Sequence, residues 1–219
     1  MFQTFINAFK IKEIRKKIII TLVLIVVYRL GCFIPIPGVN TALLKEAVSS
    51  YDILGFLDLL TGSSFSQFTI FAMGISPYIN ASIILQLLTI AIPSLERMSK
   101  EEDGKVKIEK ITRYTGIALA MVQSIGIFIG LGSKYLVDTS ILTYATIGIC
   151  STAGTAFLMW LGERITEDGI GNGVSMLIFA SIVSRVPKTF INLGEQLFVG
   201  VLPWWELIIL IVAVVGLIT

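Results

Sequence analysis

The chain has no histidine and only two cysteines in 219 residues. Without an imidazole, the Ser–His pairs of intramembrane serine proteases cannot be assembled. A paired-aspartate arrangement is missing too, because Asp58 and Asp168 fall outside the clean apolar runs. Cys32 and Cys150 each sit in an apolar run with no zinc-type Cys/His spacing, so both read as small buried hydrophobes, and no metal or cofactor is implied. Charge is scarce, at 15% of residues against about a quarter in a soluble domain. A net charge of +2 leaves no electrostatic footprint for nucleic acid. Neither catalysis nor nucleic-acid binding finds a foothold.

What the chain has in abundance is apolar surface. Hydrophobic residues make up 55% of it, the mean hydropathy is +0.87, and the apolar residues gather in long blocks between short polar breaks. A helix needs roughly 20 apolar residues to cross a hydrocarbon core about 30 Å thick. Runs at 18–34, 75–92, 114–131, 141–161 and 174–190 meet or approach that length, the fifth interrupted by Ser181, Ser184, Arg185 and Pro187. The expectation is an all-α, polytopic membrane bundle: a segment 1–17, five transmembrane helices within 18–206, and a last run at 207–219. The first run follows a basic flank, but Pro35-Ile36-Pro37-Gly38 replaces a small-residue cleavage site, so it reads as a retained span. After Trp204-Trp205-Glu206, the 13 residues 207–219 supply only about 20 Å of helix. They read as the truncated start of a sixth helix, with a short re-entrant tail as the competing reading.

Charge placement predicts orientation. Lys10, Lys12, Arg15, Lys16 and Lys17 precede the first run, and Arg97, Lys100, Lys105, Lys107, Lys110 and Arg113 lie between the second and third. The alternate breaks carry Lys45 and Lys134. Cytoplasmic loops hold the excess of Lys and Arg, so the N-terminus and the 96–113 break, read as a solvated loop, are expected on that side. Arg29 stands inside the first span and is expected to snorkel or to pair with a neighbouring helix. Gly169, Gly171 and Gly173 lack the strand-then-helix context of a phosphate loop and instead predict a tight turn, with Asn172 capping the fifth helix.

The stretch 51–74 breaks the membrane pattern. Its apolar residues are enough to leave water, while Asp58, Thr61, Gly62, Ser63, Ser64, Ser66 and Gln67 make it too polar for lipid. Two readings fit: a short broken piece dipping into a watery cavity, or an amphipathic helix on the outer surface.

Three motifs narrow the choice. Ile70-Phe-Ala-Met-Gly-Ile-Ser-Pro-Tyr-Ile-Asn-Ala-Ser-Ile-Ile-Leu-Gln-Leu-Leu88 resembles the second transmembrane segment of the bacterial SecY family. Met159-Trp-Leu-Gly-Glu-Arg-Ile-Thr-Glu-Asp-Gly-Ile-Gly-Asn-Gly173 is similar to that family's turn into helix five, and Tyr28-Arg-Leu-Gly-Cys-Phe-Ile-Pro-Ile-Pro-Gly38 to the end of its helix one. The resemblance implies the first half of a ten-helix, two-halved protein-conducting channel of the bacterial cytoplasmic membrane. Such a channel passes unfolded preproteins and releases transmembrane segments into lipid. The implied partners are SecE, SecG, the SecA ATPase, the ribosome and preproteins carrying signal sequences.

The resemblance also implies site residues. The family's pore ring falls on Ile75, Ile79, Val174 and Ile178, two i, i+4 pairs that each share a helix face. Aliphatic side chains at a constriction offer nothing to replace an ion's hydration, yet a passing chain displaces them because apolar contacts are non-directional. The family's plug falls on 53–67: apolar Ile53, Leu54, Phe56, Leu57, Leu59, Leu60 and Phe65, polar Asp58, Thr61, Ser63, Ser64, Ser66 and Gln67, and Gly55 and Gly62, whose weak helix propensity suits an element that repacks. Helices two and three match one side of a lateral gate, with Asn80, Gln86 and Gln123 as its polar candidates. Two other classes remain open: half of an inverted-repeat secondary transporter, and a non-conducting membrane assembly partner.

Overall fold

Side-chain caps or proline mark where four of the helices of this chain start, and hydropathy alone does not decide where they stop. The computed structural model describes residues 11–101, 103–187, 191 and 194; Lys10, Trp204, Trp205, Glu206 and the run 207–219 lie outside that set, as does the 188–190 end of the fifth expected span. Residues up to Ile182 form one unit and those from Val183 a second. The helices are α1 (Lys12–Gly31), α2 (Thr41–Ser50), α3 (Asp52–Leu60), α4 (Ser76–Ala91), α5 (Pro93–Lys100), α6 (Gly104–Leu131), α7 (Ile141–Asp168) and α8 (Gly173–Val183). Among the described residues there is no strand, only isolated antiparallel bridges joining Pro35 to Thr69 and Val39 to Leu136.

Local chemistry explains these starts. Asn40 Oδ1 accepts from Ala42 N at 3.2 Å and Leu43 N at 3.3 Å to open α2, and Asn172 Oδ1 accepts from Ser175 N at 3.1 Å to open α8. Proline stands in the first turn of α4 and of α5, where its missing N–H is no loss. The ends overrun the apolar runs. α6 begins at Gly104 rather than 114, because Lys105, Lys107, Glu109 and Lys110 are straight-chain helix formers that extend it. α7 runs to Asp168 rather than 161, its last turns tied by Arg164 to Glu167 at 3.3 Å and Asp168 at 3.2 Å. Most of the 96–113 break is therefore helix rather than loop. Within α5, Lys100 sits 2.7 Å from Glu96 and holds its carboxyl below the usual range, chiefly by hydrogen bonding.

α6 and α7, 28 residues each, are long and apolar enough to cross a membrane. α4 and α5 qualify together but bend by 102° at their junction, and α8 is a shorter apolar helix. Small residues let the helices approach. A Cβ on Gly116 of α6 would meet Tyr78 Cα of α4 at 3.3 Å, and one on Gly154 of α7 would overlap the Ile70 carbonyl.

That carbonyl belongs to the stretch 61–75, which is not helical yet largely buried. Its backbone groups find partners locally. Ile36 N donates to Phe68 O at 2.9 Å, Ile70 N to Ile34 O at 3.0 Å, and Ser63 N to Asp58 O at 3.0 Å. Gly62, Ser63, Phe68 and Gly74 all have positive φ (63°, 73°, 41° and 57°). Left-handed phenylalanine is strained by about 1–3 kcal/mol. Packing holds Phe68 there: it is fully buried, edge-on to Phe128 at 4.7 Å and to Phe65 at 6.4 Å. These rings centre one core cluster with Ile36, Leu44 and Ile147, while Tyr28, Phe71, Ile75, Leu158 and Leu177 form a second.

The contact at Gly154 has a measurable consequence. Gly154→Ala is expected to destabilise the protein by roughly 3 kcal/mol or more, because a backbone carbonyl cannot yield as a side chain can. Gly126 has open space around it, and Gly126→Ala is expected to be neutral or stabilising by up to about 1 kcal/mol. Thermal unfolding of the full-length protein in detergent measures both. Equal melting points for the two variants would refute the close approach of α7 to the 61–75 stretch.

Candidate functional site

Two neighbouring cavities collect most of the residues singled out above. The smaller, about 100 Å³, is lined by Ile75 and Ile79 at the start of α4, Leu177 and Ile178 of α8, and Leu60 and Thr61 at the end of α3. Ile79 N donates to Ile75 O at 3.1 Å, so the pair keeps helical spacing although Ile75 is the N-cap. Val174 does not line the cavity. It packs one turn away beside Ile75: a Cβ on Gly162 would meet Val174 Cγ2 at 3.5 Å and Ile75 Cδ1 at 3.7 Å. The four ring candidates thus converge on one core cluster, three of them on one cavity.

The larger cavity, about 430 Å³, is bounded by Leu57, Thr61 and Phe65 on one side and by Asn80 of α4 and Gln123 of α6 on the other. Asn80 and Gln123 therefore face a shared space. Gln86 does not: it lies on the exposed surface of α4, its Nε2 3.4 Å from Ser82 Oγ. Ionised side chains are absent from the lining of both cavities.

The stretch 53–67 divides in two. Its helical part presents an apolar outer face, Ile53 being 78% exposed, Phe56 61% and Leu59 42%, whereas Asp58 is 5% exposed. The following turn is buried, and polar groups build it. Asp58 Oδ1 accepts from Ser66 N at 2.7 Å, and Thr61 Oγ1 accepts from Phe65 N at 3.2 Å. The helix buries Asp58 while Ile53, Phe56 and Leu59 stay exposed, and its other charge, Asp52 in the first turn, is exposed too. Arg29 reaches the same turn: a Cβ on Gly62 would lie 3.0 Å from its Nη1, which is buried and lacks a hydrogen-bond partner among the described residues.

One pair at the cavity wall went unread in the sequence. Tyr28 OH lies 2.5 Å from Ser181 Oγ, joining α1 to α8 at the wall of the smaller cavity. A tyrosine inside an apolar run is the available signal, since a buried phenol needs a hydrogen-bond partner. Nothing in the sequence says which.

Comparison with known proteins gives concordant results. The SecY family model matches residues 69–219. The chain is 42% identical over 232 residues to the protein translocase subunit SecY of Bacillus licheniformis, covering 100% of this chain and 53% of that protein. It is 45% identical over 206 residues to that of Staphylococcus carnosus, covering 91% and 48%. The chain thus spans about half the length of these curated relatives. Among solved structures, a protein-conducting channel and Sec61 in the canine ribosome–channel complex from the endoplasmic reticulum each align with a TM-score of 0.58 at 21% identity, over 78% of this chain and 36% of theirs. At that identity the likeness concerns the fold, a polytopic helix bundle.

The buried turn supplies a test of its own. Asp58→Ala removes the acceptor of Ser66 N, and an unsatisfied buried N–H costs about 1–3 kcal/mol. Asp58→Asn keeps Oδ1 and is expected to lose less. Thermal unfolding, with proteolytic cleavage within 53–67 as a local readout, separates the two; equal losses would mean that the charge rather than the acceptor holds the turn.

Proposed function

The chain belongs to the SecY family, and from that premise we propose that it forms the first half of a protein-conducting channel in the bacterial cytoplasmic membrane. The observation that carries the reading is the convergence of Ile75, Ile79 and Ile178 on one cavity capped by Leu60 and Thr61. An aliphatic constriction stops hydrated ions, because nothing in it replaces their water. An unfolded polypeptide can part the same side chains and refill the gap with its own. The channel is a passive conduit in this account, and a partner supplies the energy. The names of the solved relatives support the ribosome as one such partner, and the family resemblance adds SecA as motor with SecE and SecG as companions.

The helix α3, within the plug range 53–67, is the element that closes the resting pore. Its exposed Ile53, Phe56 and Leu59 recur at three-residue spacing, one face suited to cover an apolar ring. The buried turn 61–67 stays with the core, and the left-handed Gly62–Ser63 pair supplies the joint. Asn80 and Gln123 mark the side of the cavity through which a signal sequence would reach lipid. The basic flank of α1 and the charges of α5 and early α6 put these parts on the cytoplasmic side. A transporter half is disfavoured because its substrate site needs charged or carbonyl ligands at mid-membrane, and no lining residue of either cavity is charged.

Two experiments on the complete channel follow. With a secretory precursor stalled in transit, a photo-crosslinker at Ile79 is expected to capture it, and one at Ile149, on the exposed face of α7, to remain silent. A silent Ile79 beside a demonstrably stalled precursor would sink the pore assignment. Separately, deleting residues 53–57, which leaves Asp58 and its turn in place, should raise resting ion conductance in planar bilayers several-fold. Unchanged conductance would remove α3 from the role of plug.

A further inference from the structure

Two hydrogen bonds, one buried and one partly buried, tie one face of α1 to the segment that carries half of the ring. Thr21 Oγ1 donates to Lys17 O at 2.9 Å and accepts from Ile170 N at 3.1 Å. Tyr28 OH meets Ser181 Oγ at 2.5 Å, and Ser181 Oγ itself donates to Leu177 O at 2.9 Å. Either hydroxyl of the Tyr28–Ser181 pair can donate. All three side chains are buried. Thr21 and Tyr28 are two helical turns apart and share one face of α1.

What they grip brackets the ring. Residue 170 precedes Val174, and residue 181 follows Ile178. The lower contact depends on Gly169, where a Cβ would meet Thr21 Oγ1 at 2.5 Å. The upper one depends on a phenol that cannot swing freely: the Tyr28 ring stacks on Phe71 at 5.8 Å, and Phe71 stacks on Phe157 of α7 at 6.0 Å. Ring side chains attract one another without direction, so nothing in the ring itself sets its level. Hydrogen bonds, which are directional in both distance and angle, do.

We propose that Thr21 and Tyr28 are positioning residues of the pore: from α1 they fix the axial register of α8 and thereby hold Val174 and Ile178 level with Ile75 and Ile79. The inference rests on the pore reading above and deepens it. Two hydroxyls that only glued helices together would affect stability and leave the ring alone.

The test uses the complete channel with Tyr28→Phe, which keeps the aromatic stack and loses the hydroxyl, Ser181→Ala, the double variant, and Thr21→Val. Resting conductance per folded channel is measured in planar bilayers. The spread of distances between spin labels on the exposed positions Val26 and Phe179 reports the register directly. Each single variant is expected to broaden the distances and raise the leak roughly fivefold, the population change that one hydrogen bond's net contribution allows. The Tyr28/Ser181 double variant should leak no more than either single one, as partners in one interaction do. Lower melting points with unchanged conductance and unchanged distances would overturn the proposal. Ile178→Gly serves as the control for the underlying reading. If it leaves conductance unchanged while Tyr28→Phe still broadens the distances, the clamp on α8 stands and the ring assignment falls.

Discussion

Lipid offers no hydrogen bonds, so a chain that leaves the helix at membrane depth must satisfy its backbone from within the protein. The stretch 61–75 is non-helical, largely buried and hydrogen-bonded from within the protein. Asp58, Thr61, Ser64, Ser66 and Thr69 are all buried, because their side chains or backbones close the turns that helical bonds would otherwise have closed. Phe65, Phe68 and Phe71 pin the same stretch into the two core clusters. Gly154 of α7 then brings a full membrane helix against the Ile70 carbonyl with no side chain between. The non-helical stretch contributes residues to both core clusters of the unit.

A division of labour follows between polar and apolar groups. The ring candidates are aliphatic, and that chemistry can seal but cannot locate. Location comes from polar groups set behind them: Thr21 and Tyr28 on α1, Thr155 Oγ1 of α7 donating to Gly74 O at 3.4 Å, and Asn172 at the start of α8. Of these, Thr21, Thr155 and Asn172 lie outside the lining of the smaller cavity, and Tyr28 stands at its wall. A constriction that must open and reseal gains from this separation, since its soft part can deform while its frame keeps register.

The apolar runs made the membrane bundle legible, because hydropathy reports contact with lipid. They did not give the ends of α6 and α7, because helix formation beyond the lipid depends on propensity and ion pairs, which Lys105–Lys110 and Arg164 supply. Averaged composition marked 53–67 as one unusual segment and hid its two halves, a helix with an exposed apolar face and a buried turn. Of the gate residues, Asn80 and Gln123 meet at one cavity and Gln86 does not. Six residues turn a helix by about 240° beyond a full revolution, so Gln86 leaves the face that Asn80 occupies. The Tyr28–Ser181 bond, spanning 153 positions, is a fact of tertiary structure, and no local pattern encodes it.

The weakness of α3 is itself part of the design. Nine residues make a helix too short to stand alone in water, where about 12–15 are needed for marginal stability. Its one buried side chain is Asp58, and that carboxylate serves the turn that follows. Little apolar burial within this chain holds the helix down, so its position depends on whatever its exposed face meets. An element anchored at one end and held loosely along its length is suited to displacement, and the left-handed Gly62–Ser63 pair is the joint at its anchored end. The bonds from Ser63 N to Asp58 O and from Ser66 N to Asp58 Oδ1 span that joint, so releasing the helix means breaking them, and they hold it in place at rest.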